Sequence, residues 1–256
     1  MFIHSAPHTA KEGFQMKIGI LETGLTPENL RDEFKSYPSM FESLLGAVDP
    51  SLTFETWTVL QDQFPASIND ADGWIITGSK HGVYENAPWM IELQQFLRDA
   101  VSAKLPVFGV CFGHQILATA LGGKVVKSDK GWGVGVHEYT VTKSTPDWLA
   151  DGGPTLRINA FHQDQVVELP KGATVWASSD FCPYAGLQYG ENAASIQPHP
   201  EFARPYELAL LESRADLMPE DVYSKAMQSL DTPVTSPEFA KSIVKFMTSK
   251  RAQKAA

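Results

Sequence analysis

Short runs of apolar, β-branched and aromatic residues recur through the first half of the chain, at residues 18–21, 54–59, 74–76 and 106–110. Between them lie stretches whose apolar positions follow helical spacing, most plainly residues 89–100. Continuous apolar runs of strand length suit burial on both faces, and their alternation with helices predicts a parallel sheet covered by helices. Past residue 124 the pattern changes. Val134-Gly135-Val136-His137-Glu138-Tyr139-Thr140-Val141 alternates and is punctuated by glycine, so residues 124–142 predict antiparallel strands added to the sheet. Further strands are predicted at 165–169, 174–177 and 194–197. From Pro205 onward the spacing is mostly helical, with Pro219 and Pro237 each placed where a helix can begin. The expected architecture is α/β, an open and mostly parallel sheet with helices on both faces and added antiparallel strands. In such sheets ligands bind at the carboxyl ends of the strands, where Gly78-Ser79, Cys111 and His199 all fall.

A chain of 256 residues with 43% hydrophobic content can bury a full core. The longest Pro, Ser and Thr cluster, residues 231–237, lies near the C-terminus and reads as a connector between terminal helices. One domain over residues 16–250 is expected. Residues 1–15 are polar and aperiodic, which fits a disordered extension or an alternative start at Met16. The formal net charge of −9 leaves no basic face for nucleic acid or an anionic membrane, and favours a small-molecule partner. No apolar run approaches the roughly 20 residues that span a bilayer, and the first residues lack the apolar core of a signal peptide. Two cysteines, Cys111 and Cys182, suit a reducing compartment, so a cytoplasmic protein is expected.

The run Leu105-Pro106-Val107-Phe108-Gly109-Val110-Cys111-Phe112-Gly113-His114-Gln115 reads as a buried strand that turns tightly into a helix over residues 116–121. Gly109 and Gly113 flank Cys111 as Gly-x-Cys-x-Gly, the thiol counterpart of a nucleophile elbow. Small neighbours let the backbone bend and hold the central residue in a strained, exposed position. A helix N-terminus directly after a cysteine favours the thiolate, the reactive form. The other reading is a buried apolar cysteine, as most free cysteines are, and the five-residue pattern alone leaves both open. Cys182, in Phe181-Cys182-Pro183-Tyr184, has no such surroundings and reads as structural.

A cysteine nucleophile needs an imidazole to take and return a proton, and the imidazole needs a third group to orient it. Ile196-Gln197-Pro198-His199-Pro200-Glu201-Phe202 supplies both. Pro200 disfavours helix at His199, and in an extended chain residues two apart point the same way, which brings Glu201 toward His199. A proline-rich surface turn would explain this segment in isolation but not beside the Cys111 elbow. His114 is too close to Cys111 along the turn to serve as its base and reads as part of the elbow, while His81 and His137 show no partner pattern.

The segments Gly109-Val110-Cys111-Phe112-Gly113-His114-Gln115 and Pro198-His199-Pro200-Glu201-Phe202 closely resemble the two signatures of class I glutamine amidotransferase domains, in order and separation as well as residues. A third stretch, Phe161-His162-Gln163-Asp164-Gln165-Val166, resembles the family's loop along the glutamine pocket, and the likeness runs from about Lys17 to the His-Pro-Glu segment. The resemblance implies a flavodoxin-like fold and attack of Cys111 on a γ-glutamyl amide through a thioester, with His199 as base and then acid and Glu201 completing a triad. It also implies an oxyanion hole from the amides of Phe112 and of the Gly78-Ser79 loop, glutamyl contacts from Gln115, Gln163 and Asp164, and no metal or cofactor. Two departures stand out. The oxyanion loop is Thr77-Gly78-Ser79-Lys80, without the Gly-Gly pair and following proline of many members. No ATP-binding synthetase domain accompanies it, so the chain either serves a separate ammonia-accepting synthetase or acts alone, as in the stand-alone relatives that include γ-glutamyl peptidases.

Two readings from other classes stay beside this one. His162, Asp164, His199 and Glu201 can be read as a metallohydrolase ligand set, although that leaves the elbow unexplained. A regulatory module that kept the fold without activity is the other. Gly131 to Gly135 has the wrong spacing for a pyrophosphate loop and reads as a hairpin.

Overall fold

The computed structural model describes residues 15–149 and 153–252, with side chains through residue 249. All but the last residue of the expected N-terminal extension, residues 1–15, lies outside the described residues. Along the chain run β1 (Lys17–Leu21), α1 (Arg31–Phe34), α2 (Tyr37–Gly46), β2 (Thr53–Trp57), β3 (Gly73–Ile76), α3 (Pro88–Ser102), β4 (Val107–Val110), α4 (Phe112–Ala120) and β5 (Lys124–Lys127). They are followed by β6 (Gly133–Val141), β7 (Thr155–His162), β8 (Asp164–Glu168), β9 (Ala173–Ser178), β10 (Gly186–Tyr189), β11 (Ala193–Ile196), α5 (Arg204–Ser213), α6 (Glu220–Ser229) and α7 (Ser236–Ala252).

Nine strands form one sheet in the order β2-β1-β3-β4-β11-β10-β9-β6-β7. The first five pair in parallel, and the next four continue it antiparallel. Side chains alternate across each strand, and the core divides accordingly. Ile18, Ile20, Ile75, Phe108, Val110, Ala194 and Ile196 face a cluster with Phe41 of α2 and Phe239, Ile243 and Phe246 of α7. Leu21, Trp74, Ile76, Val107 and Ala193 face the other side, with Leu93 and Leu97 of α3 and Ile116 and Leu117 of α4. Each apolar run in the parallel half therefore serves two layers, which explains why those runs are continuous.

The structure departs from the sequence pattern in four places. Residues 124–127 do not join the main sheet: β5 pairs with β8 in a separate two-stranded sheet, and within residues 124–142 only β6 belongs to the large one. The glycine-rich run is the lead-in to β6, which pairs with β7 and β9 and not with β5, so it is no hairpin turn. Residues 58–61 leave the predicted strand for a short 3-10 turn that ends on Asp62 at φ 58°. Two strands have no apolar run to announce them, β7 because Arg157 and Asn159 interrupt it and β10 because Gly186–Tyr189 is so short. The 231–237 segment does connect α6 to α7, and Pro219 caps α6 while Pro237 stands in the first turn of α7.

Candidate active site

β4 and β11 are adjacent and parallel, and both end at the same edge: the Cys111 amide donates to the Ile196 carbonyl at 3.0 Å. The chain reverses at Cys111 itself, at φ 54° and ψ −104°, and α4 begins at Phe112, earlier than the predicted residue 116. A non-glycine residue in that region of backbone space carries strain, and the packing around it holds it there. A side chain at Gly109 would collide with the Gly113 carbonyl, and one at Gly113 with the Ile76 carbonyl, so both glycines are sterically required. Contrary to the expectation of exposure, Cys111 is buried, at 5%. It lines a cavity of about 340 Å³.

The His199 backbone is bridged to β7, its amide donating to the Asn159 carbonyl at 2.7 Å. Pro200 and Glu201 form a turn closed by the Phe202 amide on the His199 carbonyl, in place of the expected extended run. The turn achieves the same end. His199 Nδ1 lies 2.7 Å from Glu201 Oε1, with both side chains buried. With Nδ1 engaged, Nε2 is the nitrogen left for the thiol. Phe202 stacks flat on the imidazole, at 3.9 Å between centroids and 6° between planes. Burial alone would depress His199, but the negative charges of Cys111 and Glu201, with hydrogen bonds to both, hold it well above the ordinary imidazole value.

The loop at the end of β3 closes the near side. Thr23 Oγ1 donates to the Thr77 carbonyl at 2.9 Å, and the Gly113 amide donates to the same carbonyl at 3.1 Å. Gly78 lies so close to His199 that a Cβ there would sit 2.7 Å from Cε1. Phe112, first in α4, has an amide with no partner inside the helix. Across the cavity, Gln115 Nε2 donates to the Asp164 carbonyl at 3.0 Å and to Gln197 Oε1 at 3.1 Å, which leaves its own carbonyl oxygen free to accept. Asp164 Oδ1 accepts from the Tyr84 hydroxyl at 3.2 Å, and burial raises its carboxyl.

Gly78, Ser79, Cys111, Gln115, Gln163, Asp164 and His199 thus line one cavity, while Glu201 lies behind His199 and the Phe112 side chain is buried. His114 is fully buried, 2.8 Å from Ser195 Oγ, and burial drives it down to about 3, which fits a neutral structural imidazole. His81 does have a partner: it pairs with Glu85 at 2.8 Å and lines the cavity. Among the described residues no group of three or more His, Cys, Asp and Glu is arranged to hold a metal ion. Sequence reading missed Tyr84, Lys127, Trp132 and Arg214 in the lining, since nothing near them along the chain marks them.

The model of the class-I glutamine amidotransferase family matches residues 30–214. The chain belongs to that family. Among curated members, γ-glutamyl peptidase 3 of Arabidopsis thaliana is 29% identical, over 80% of this chain and 85% of its own. A glutamine-hydrolyzing GMP synthase subunit from Halobacterium salinarum is 34% identical, over 56% of this chain and 73% of its own. A solved glutamine amidotransferase structure from Thermotoga maritima superposes with a TM-score of 0.72 over 92% of this chain and 97% of the other, at 17% identity. That amidotransferase shares the flavodoxin-like α/β fold, a mixed sheet with flanking helices.

Proposed function

We propose that this family member is a γ-glutamyl hydrolase in which Cys111, His199 and Glu201 act as a catalytic triad. The observation that carries the reading is the buried His199, hydrogen-bonded to Glu201 at 2.7 Å and lining one cavity with Cys111 at the head of α4. The Cys111 thiol gives its proton to His199 as its sulfur bonds to the γ-carbonyl carbon, and the oxyanion formed from the carbonyl oxygen is held by the amides of Phe112 and the Gly78-Ser79 loop. Collapse breaks the C–N bond, the leaving nitrogen takes a proton from His199, and a γ-glutamyl thioester remains. Water, deprotonated by His199, then releases glutamate and restores the thiol. Gln115, Gln163 and Asp164 hold the glutamyl group. This chemistry needs no metal or cofactor.

We read residues 16–250 as one domain acting on a small molecule in the cytoplasm, where a free thiol stays reduced. Both cysteines are unpaired, and no described helix is long and apolar enough to cross a membrane. The likeness to γ-glutamyl peptidases over four-fifths of the chain favours γ-glutamyl peptides as substrates. The GMP synthase relative supports a second reading, hydrolysis of free glutamine with ammonia passed to a separate synthetase subunit.

Glutamate release from glutamine and from a panel of γ-glutamyl dipeptides tests this, wild type against Cys111→Ala. Turnover of dipeptides that falls at least about 1000-fold in the variant is expected. Turnover of glutamine alone would select the second reading, and turnover that survives the substitution would sink the thiol mechanism.

A further inference from the structure

Among the arginines whose side chains are described, Arg31, Arg98, Arg157 and Arg204 each bond a carbonyl or carboxylate oxygen of a neighbour. The Arg214 guanidinium, just past the end of α5, has no hydrogen bond or ion pair among the described residues. It lines the cavity that holds Cys111 and His199. Tyr37 feels the charges of both Cys111 and Arg214, which ties the arginine to the neighbourhood of the thiol. A half-buried cation without a protein partner, in a cavity of an acidic protein, is a site prepared for an anion.

Arg214 shares its cavity with exposed apolar side chains. Leu25 and Leu217 are 38% and 50% exposed, both at this cavity, where the protein leaves large apolar side chains in water. Trp132 donates its indole N–H to the Leu217 carbonyl at 2.9 Å and packs edge-on against Phe161 at 5.4 Å, so this wall is held in place. Exposed apolar surface gathered at a cavity marks the part of a ligand it covers.

The chemistry says which part. His199 must hand its proton to the leaving nitrogen, so the leaving group lies on the imidazole side, away from Gln115, Gln163 and Asp164. That side carries Phe202, stacked on His199, with Tyr37 packed on Phe202 at 5.7 Å. Resting on the γ-glutamyl reading above, we propose that Leu25, Trp132, Leu217 and Arg214 form a leaving-group subsite for an amino acid with an apolar side chain and a free carboxylate. The substrate class is then γ-glutamyl dipeptides such as γ-Glu-Leu, whose C-terminal carboxylate pairs with Arg214 while the side chain covers Leu217 and Trp132.

The decisive comparison uses γ-Glu-Leu and γ-glutamyl isoamylamide, which share the apolar body and differ by the carboxylate. In wild type, kcat/KM is expected to favour γ-Glu-Leu by about 10- to 100-fold, the range for a charge-assisted pair. In Arg214→Gln the ratio should fall toward one, with part of it restored in Arg214→Lys. As a readout free of turnover, γ-Glu-Leu should bind more weakly to Cys111→Ala when Arg214→Gln is added, measured by calorimetry. A ratio near one in wild type, or a ratio indifferent to Arg214, overturns the subsite while leaving γ-glutamyl hydrolysis intact. Absence of turnover for both compounds and for glutamine overturns the γ-glutamyl reading and the subsite with it.

Discussion

Cys111 and Cys182 are both buried, and the histidines near each stand in different surroundings. Cys182 adjoins Phe181, whose ring packs on His137 and His162 at 5.4 and 5.9 Å. There burial acts almost alone: His162 is driven down to about 3, His137 is lowered, and the Cys182 thiol is pushed up to about 12. Among the described residues no carboxylate bonds either imidazole in that region. At Cys111 burial is also deep, but Glu201 sits against His199 and the thiol stands at the head of α4. Desolvation by itself makes cysteine and histidine neutral and inert. At His199 the negative charges of Cys111 and Glu201, with hydrogen bonds to both, outweigh burial and hold the imidazole toward its charged form.

The comparison breaks most visibly at Glu201. Glu201→Gln keeps the shape but removes the charge that orients and holds the imidazolium, so kcat is expected to drop about 100- to 10,000-fold, with the fold unchanged by circular dichroism. If activity survives, the environment of His199 differs from that of His162 in some other way. A second experiment reads the thiols directly. Iodoacetamide at neutral pH should alkylate Cys111 at least about 100-fold faster than Cys182, followed by peptide mapping with mass spectrometry, and unfolding should erase the difference. Equal rates in the folded protein would remove the contrast.

Glu207 sharpens the lesson at smaller scale. It is a fully buried carboxyl with Oε1 accepting from the Gly135 amide at 3.3 Å, and burial raises it to about 8 despite the nearby positive His199. A carboxyl whose folded value exceeds its unfolded one is tolerated best below the unfolded value, near 4.5, and its contribution to stability is lost as pH rises toward 8. Glu207→Gln keeps the Gly135 contact and removes the titration. Relative to wild type it should therefore gain roughly 2–4 kcal/mol between pH 5 and pH 9, measured by urea unfolding. A pH-independent difference would mean that Glu207 stays ionised.

Much of this was legible because the relevant forces are local. Gly109, Cys111 and Gly113 lie within five residues, and their turn can be read from the space each side chain requires. His199 and Glu201 are two apart, so any compact path between them brings the carboxylate to the ring, whether extended or, as found, a turn. The parallel half announced itself because strands buried on two faces are apolar throughout. The antiparallel half was harder to read: β7 carries Arg157 and Asn159, and the partner of β5 proved to be β8, some forty residues on and outside the main sheet.

The sequence by itself determined the strained cysteine, the imidazole with its carboxylate and the parallel scaffold, since propensity, steric volume and short spacing act over a few residues. Only the tertiary structure decided that Cys111 is buried and lines a cavity, that His81 has Glu85, and that Leu25, Trp132, Arg214 and Leu217 line the same cavity as Cys111 and His199. Leu25, Trp132 and the Arg214–Leu217 turn lie far apart along the chain. Their juxtaposition follows from how the antiparallel strands and α5 pack beside the parallel edge, a long-range outcome of burial that no local pattern encodes.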